Sequence, residues 1–167
     1  FYKESNPIIQ FIIRATLSRA NTLIVTSPSW INKIRKIVNH NDIHAISTGY
    51  DSEIFKPRPQ QDARFALSIP PNANVITSIG SLTKDKGHEY LISAAKDVIE
   101  REANNDLRIY IIGEGPLRTS LSKLIDSPQL KSVIFLVGGR TPSQVAEWIN
   151  ASNLIVHPSI YDANPTV

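Results

Sequence analysis

The sequence predicts an α/β protein built around a parallel sheet. Three observations point there. Four short, nearly continuous apolar runs in the second half of the chain (VITSI at 75–79, RIYII at 108–112, VIFLV at 133–137, LIV at 154–156) alternate with amphipathic stretches. Strands buried on both faces read as apolar runs, and strands separated by helices form βαβ units with a parallel sheet. Glycine follows three of the four runs directly, at Gly80, Gly113 and Gly138, where a strand must turn into a helix.

The elements follow in order. Residues 7–20 carry Ile8, Ile9, Ile12, Ile13 and Leu17 near a 3.6-residue period and predict a helix. TLIVT at 22–26 is a β-branched strand. Ser27-Pro28 opens a second helix with Trp30, Ile31, Ile34, Ile37 and Val38 on its apolar side. Residues 44–48 form another short strand. From 55 to 74 the chain holds Pro57, Pro59, Pro70 and Pro71. Proline restricts both itself and the residue before it, so this stretch is expected to be a linker with little regular structure. Helices are then expected at 88–102 (Leu91, Ile92, Ala95, Val98, Ile99), at 116–125 (Leu117, Leu121, Leu124), ending before Pro128, and at 142–151. The last has a full start signal, with Thr141 and Gln144 as a capping box and Pro142 at the first helical position.

Composition excludes several classes. The 167 residues are 41% hydrophobic and 20% charged, the profile of a globular protein, and no run approaches the roughly 18 apolar residues of a membrane span. No cysteine is present, which rules out disulfides and thiolate chemistry and is compatible with a reducing cytoplasm. The four histidines lack zinc-site spacing, and His88-Glu89 has no second histidine four residues on. Residues 1–70 hold nine Lys/Arg against five Asp/Glu, while residues 71–167 hold nine against ten. That asymmetry is too mild for nucleic acid, yet leaves room for weak association of the first part with a membrane surface. The chain begins at Phe1 and contains no methionine, so it is expected to be a fragment.

In a parallel sheet of this kind the strand-to-helix loops share one edge, and ligands bind there where strand order reverses. With three strands laid outward and the fourth returning beside the first, the loop after Gly80 should face the loop after His157. In the first loop, residues 80–87, Lys84 and Lys86 precede a helix and supply point charges for phosphate. A plain surface loop with ordinary lysines is the competing reading. Gly113-Glu114-Gly115 lacks the third glycine of a dinucleotide fingerprint, and no GxxxxGK[ST] occurs. Gly138-Gly139-Arg140 offers a close backbone approach or a solvent-facing arginine. Asp162 can accept hydrogen bonds from sugar or ribose hydroxyls, or Asp162 and Asn164 simply make a turn.

Taken together these segments resemble the retaining GT-B glycosyltransferases of family 4. Ile79-Gly80-Ser81-Leu82 with Lys86-Gly87-His88 resembles the family's G-R-L-x-x-x-K-G. Ile111-Ile112-Gly113-Glu114-Gly115-Pro116-Leu117-Arg118 resembles I-x-G-x-G-P-x-R, and Phe135-Leu136-Val137-Gly138 resembles F-x-G. Pro158-Ser159 with Asp162-Ala163-Asn164-Pro165-Thr166-Val167 resembles P-S-x-x-E-G-x-P-x-V. Ser47-Thr48-Gly49-Tyr50-Asp51 with Phe55-Lys56-Pro57 resembles the interdomain N-G-V-D-x-x-x-F-x-P. The resemblance implies a Rossmann-like parallel sheet of a GT-B C-terminal domain, incomplete and preceded by a remnant of the N-terminal domain. It implies an acceptor-side tail at 1–50, an interdomain linker at 51–74 and a partial nucleotide-sugar-binding domain at 75–167. The implied reaction is transfer of a sugar from a nucleoside diphosphate to a glycan or lipid-linked acceptor, with retention, in polysaccharide or glycoconjugate synthesis. The setting is the cytoplasm, at the inner face of the membrane. No cofactor or metal is required. Lys86 would stabilise the leaving diphosphate and Asp162 would hold the donor sugar. Gly80, Ser81, Gly113, Gly115, Gly138, Asn164, Pro165 and Thr166 would complete the donor site. Ser81 stands where the family often has arginine, and Asp162 is shorter than the family's glutamate by about 1.5 Å. The second glutamate of the family's pair would fall after Val167, so these 167 residues are expected to be inactive alone. The alternative is a non-catalytic nucleotide- or sugar-phosphate-binding module. A receiver-like domain lacks support because Ser78-Ile79-Gly80-Ser81 carries no acidic cluster.

Overall fold

A computed structural model describes Tyr2 and residues 5–101 and 106–160. The chain divides into two compact units between Tyr50 and Asp51.

The first unit contains α1 (Pro7–Arg19), β1 (Leu23–Val25), α2 (Pro28–Arg35) and β2 (Ile43–Ala45). The Asn6 side chain caps α1 by accepting from the Ile9 N–H at 2.9 Å, and Pro7 occupies the first turn, where its missing N–H costs nothing. β1 and β2 pair in parallel, Leu23 opposite Ile43 and Val25 opposite Ala45, with α2 as the connection. Only Val38 and Ile43 among its described apolar side chains are buried. Ile8 and Phe11 on α1 are more than two-thirds exposed.

The second unit holds α3 (Gln60–Ala66), β3 (Asn74–Ile79), a 3-10 turn (Lys84–Lys86), α4 (His88–Arg101), β4 (Leu107–Ile112), α5 (Arg118–Leu124), α6 (Pro128–Lys131), β5 (Ile134–Gly138), α7 (Pro142–Ala151) and β6 (Leu154–Ile155). Its sheet has the order β5-β4-β3-β6, with every pair parallel. Moving outward from β3 to β5 and then back to β6 reverses the direction of travel. Right-handed crossovers therefore place α4 and α5 on one face and α7 on the other. The two cores match. Leu82, Leu91, Ile92, Ala95, Ile109, Ile111, Leu121 and Leu130 pack on the α4–α6 side. Val75, Ile79, Ile112, Trp148 and Ala151 pack on the α7 side.

Residues 55–74 depart from the expected irregular linker, because residues 60–66 form a helix. The prolines flank it rather than interrupt it, with Pro59 at its N-cap and Pro70-Pro71 beyond its end. Ala63, Ile69 and Ala73 join the α7-side core. Arg64 is 3% exposed and donates to the carbonyls of Ala151 (3.0 Å) and Pro71 and to Asn153 Oδ1 (2.7 Å). Asn153 Oδ1 also accepts the Val75 N–H at 2.8 Å. One guanidinium thus ties α3 to the start of β3 and to the turn between α7 and β6. Pro128, expected to mark the end of α5, instead opens α6, capped by Ser127. The capping box at Thr141 and Gln144 forms as expected.

Candidate donor site at the switch point

The candidate site is the C-terminal edge of the sheet, and the backbone builds it. Beyond the strands the ladder continues through the loops. Gly80 N–H donates to Ile112 O (3.0 Å), Leu82 N–H to Glu114 O (2.9 Å), Leu117 N–H to Leu82 O (3.0 Å) and Gly113 N–H to Gly138 O (3.1 Å). This close stacking of loops explains two glycines. A Cβ on Gly113 would collide with the Gly80 carbonyl, and one on Gly115 would lie 2.6 Å from the Leu82 carbonyl oxygen.

The first and fourth loops meet, as the topology requires. Gly87 has φ +66° and faces the Pro158 carbonyl so closely that a Cβ would overlap it. Ile160 N–H donates to Asp85 O at 2.8 Å, and Val156 N–H to Thr77 O at 2.9 Å. Strand order reverses between β3 and β6, so these two loops flank the switch point.

Lys86 ends the 3-10 turn, and its N–H bonds Thr83 O at 3.1 Å. Its stem crosses Gly80, with Cδ 3.7 Å from where a Cβ would stand. Lys86 is half-buried, whereas Lys84 and Ser81 are exposed. Ser81 Oγ shares a hydrogen bond with Thr83 Oγ1 at 3.1 Å. Gly138 has φ +87° at the end of β5. Arg140 is exposed and donates to the Gly139 carbonyl at 2.8 Å. Asp162, Asn164, Pro165 and Thr166 lie outside the described residues.

Four side chains given no role from the sequence shape this edge. Glu114 Oε1 accepts from Gly139 N–H at 3.2 Å and from Arg118 at 3.4 Å, while Arg118 also reaches Leu136 O. This pair holds the second and third loops together. His88, the first residue of α4, is buried beside fully buried Ser78, with His88 Nδ1 and Ser78 Oγ 3.4 Å apart. Burial pushes the His88 pKa below its ordinary 6.5; nearby backbone at Ser81 and Gly80 opposes this, and His157 and Lys86 reinforce it. The adjacent hydroxyls of Thr77 and Ser78 inside an otherwise apolar strand, just before the loop glycine, were the available signal for this pair. Among the described residues, His88 Nε2 and Ser159 Oγ are the buried side-chain polar atoms without a hydrogen-bond partner.

Fold and site define a GT-B-type, doubly wound α/β domain with a glycine-lined switch point. The chain belongs to the glycosyl transferases group 1 family, whose sequence profile matches residues 59–167. It is 26% identical to a D-inositol 3-phosphate glycosyltransferase of Rhodococcus opacus over 71% of this chain and 28% of that protein. It is 24% identical to an alpha-D-kanosaminyltransferase of Streptomyces kanamyceticus over 97% of this chain and 42% of that protein. In structure it is similar to sucrose-phosphate synthase from Thermosynechococcus elongatus (TM-score 0.82, 22% identity, 98% of this chain, 41% of that one). It is also similar to Anabaena HepE in complex with UDP (TM-score 0.78, 17% identity, 96% of this chain, 44% of that one). The chain spans less than half the length of each of these relatives.

Proposed function

We propose that this chain supplies the donor-side part of a retaining family 4 glycosyltransferase that moves a sugar from a nucleoside diphosphate to a glycan or lipid-linked acceptor. The reading rests on one observation above the others. In a member of this family, the loop carrying Lys86 abuts the loop after β6 at the sheet's switch point, with Gly87 packed against the Pro158 carbonyl and the Lys86 stem crossing Gly80. A solved structure of the same fold, that of Anabaena HepE, carries UDP.

The chemistry follows from where charge develops. As the bond to the anomeric carbon breaks, negative charge grows on the leaving diphosphate. A cation and backbone N–H groups already fixed in place stabilise it without reorganising. Lys86 is that cation. Gly80, Ser81, Gly113, Gly115 and Gly138 frame the nucleotide. Asp162 holds the sugar, and the backbone of Asn164, Pro165 and Thr166 lines it. Lysine fills the charge-neutralising role, so activity persists in a chelator such as EDTA. Residues 1–50 belong to the acceptor side and residues 51–74 connect it to the donor domain at 75–167. The reaction serves polysaccharide or glycoconjugate synthesis at the cytoplasmic face of a membrane, with the basic first unit giving weak surface affinity.

The test uses the full-length gene product. It is incubated with a panel of sugar nucleotides, with and without candidate acceptors, and release of nucleoside diphosphate is followed. Acceptor-dependent release, with the donor's anomeric configuration kept in the product, supports the proposal. Binding of sugar nucleotides without turnover favours the non-catalytic module. Residues 1–167 alone are expected not to turn over, because positioning donor against acceptor requires both walls of the cleft.

A further inference from the structure

Below the switch-point loops lies a polar pair for which the proposed reaction has no use. Ser78 and His88 are both buried, at 0% and 2% exposure, between β3 and the start of α4. Ser78 Oγ lies 3.4 Å from His88 Nδ1, and His88 Nε2 has no hydrogen-bond partner. That nitrogen sits 3.9 Å from the place a Cβ would take on Gly80, and Lys86 Cδ sits 3.7 Å from the same point. Imidazole and lysine stem therefore both border Gly80. A buried polar atom left unpaired is costly, and native structures keep few of them without a reason.

The tautomer depends on which atom donates between Ser78 Oγ and His88 Nδ1. Burial favours the neutral ring, which carries one N–H. If the Ser78 hydroxyl donates to Nδ1, that N–H is on Nε2. There it faces the backbone of Gly80 and Ser81, which lies near enough to favour proton binding but makes no hydrogen bond of normal geometry. A small movement of the turn at Gly80-Ser81 would complete the bond to a backbone carbonyl.

We propose that His88 is a positioning residue for the donor: its Nε2–H bonds the Gly80–Ser81 backbone when that turn closes on a nucleoside diphosphate, and this seats Lys86. The inference rests on reading the loop as a diphosphate site. It gives His88 work that a plain core histidine would not have, because the bond forms only in the occupied state.

The experiment is imidazole nitrogen NMR on the full-length protein, before and after saturation with UDP, ADP or GDP, whichever binds. The expected result is a neutral Nε2–H tautomer whose proton becomes slow to exchange on saturation. In parallel, His88→Gln, which keeps a donor near the same place, holds affinity within about threefold of wild type, and His88→Leu loses about tenfold. An Nδ1–H tautomer, an unchanged Nε2–H signal on saturation, or wild-type affinity in His88→Leu overturns the inference. The tautomer measurement needs no variant, so it stands even if His88→Leu fails to fold. If none of the three nucleotides binds wild-type protein, the diphosphate reading falls and this inference falls with it.

Discussion

Gly87→Ala probes the contact on which the site depends. Gly87 has φ +66°, in the left-handed region that an L side chain enters at a cost of roughly 1–2 kcal/mol. Its Cα also faces the Pro158 carbonyl so closely that a Cβ would overlap backbone. Backbone cannot swing aside as the end of a flexible side chain can, so the loops at 80–87 and 156–160 must separate. The conformational cost alone predicts a fall in melting temperature of about 4–8 °C, taking about 4 °C for each kcal/mol. The separation adds to that and weakens nucleoside diphosphate binding as well. Gly49→Ala is the control, because a Cβ there would meet nothing within 4 Å. Thermal unfolding by circular dichroism and calorimetric titration with UDP, ADP and GDP measure the two effects. If Gly87→Ala melts like wild type and binds as tightly, the two loops do not share a site.

Three further outcomes are expected. Lys86→Ala weakens nucleoside diphosphate binding by about 1.5–3 kcal/mol, the worth of a charge-assisted hydrogen bond, and Ser81→Arg tightens it by restoring a forked donor; calorimetry on both variants decides. Arg64→Met destabilises the second unit by about 3 kcal/mol in urea unfolding, since the Ala151 and Pro71 carbonyls and Asn153 Oδ1 lose a charged donor, and an unchanged midpoint would show that α3 is held otherwise. The His88 pKa is depressed on folding, so below its ordinary 6.5 the unfolded chain binds the proton more readily. Its contribution is fully present above pH 6.5 and is lost as pH falls through and below that value. The wild-type urea midpoint should therefore fall relative to that of His88→Gln between pH 7.5 and pH 5.5, and parallel curves would contradict the assignment.

The sheet was legible because its strands are apolar runs, three of them followed directly by glycine, and the order laid out for them, with the fourth strand beside the first, is the order observed. Helix α7 was legible from Thr141, Pro142 and Gln144, a signal local enough to need no tertiary context. Helix α3 was not. Four prolines suggested irregular chain, yet they stand outside residues 60–66, and the burial of Arg64 depends on carbonyls and an asparagine supplied by residues 71 and 151–153. No window of sequence shows that arrangement. Gly113 and Gly115 were read as room for a ligand. Their nearest neighbours are the carbonyls of Gly80 and Leu82, so the loops' own stacking already requires them. Gly87, quoted only within a motif, proves to mark where the first and fourth loops touch. Glu114 and Ser78 escaped notice for a common reason: an acidic residue in a turn and a serine in a strand are ordinary until their partners are known.

The most direct test of the central claim is a crystal structure of the full-length protein with a bound nucleoside diphosphate. The account predicts the phosphates over residues 80–87, within hydrogen-bonding distance of Lys86 and beside the loop after β6. A nucleotide seated away from the β3–β6 switch point, with Lys86 turned from its phosphates, would contradict it.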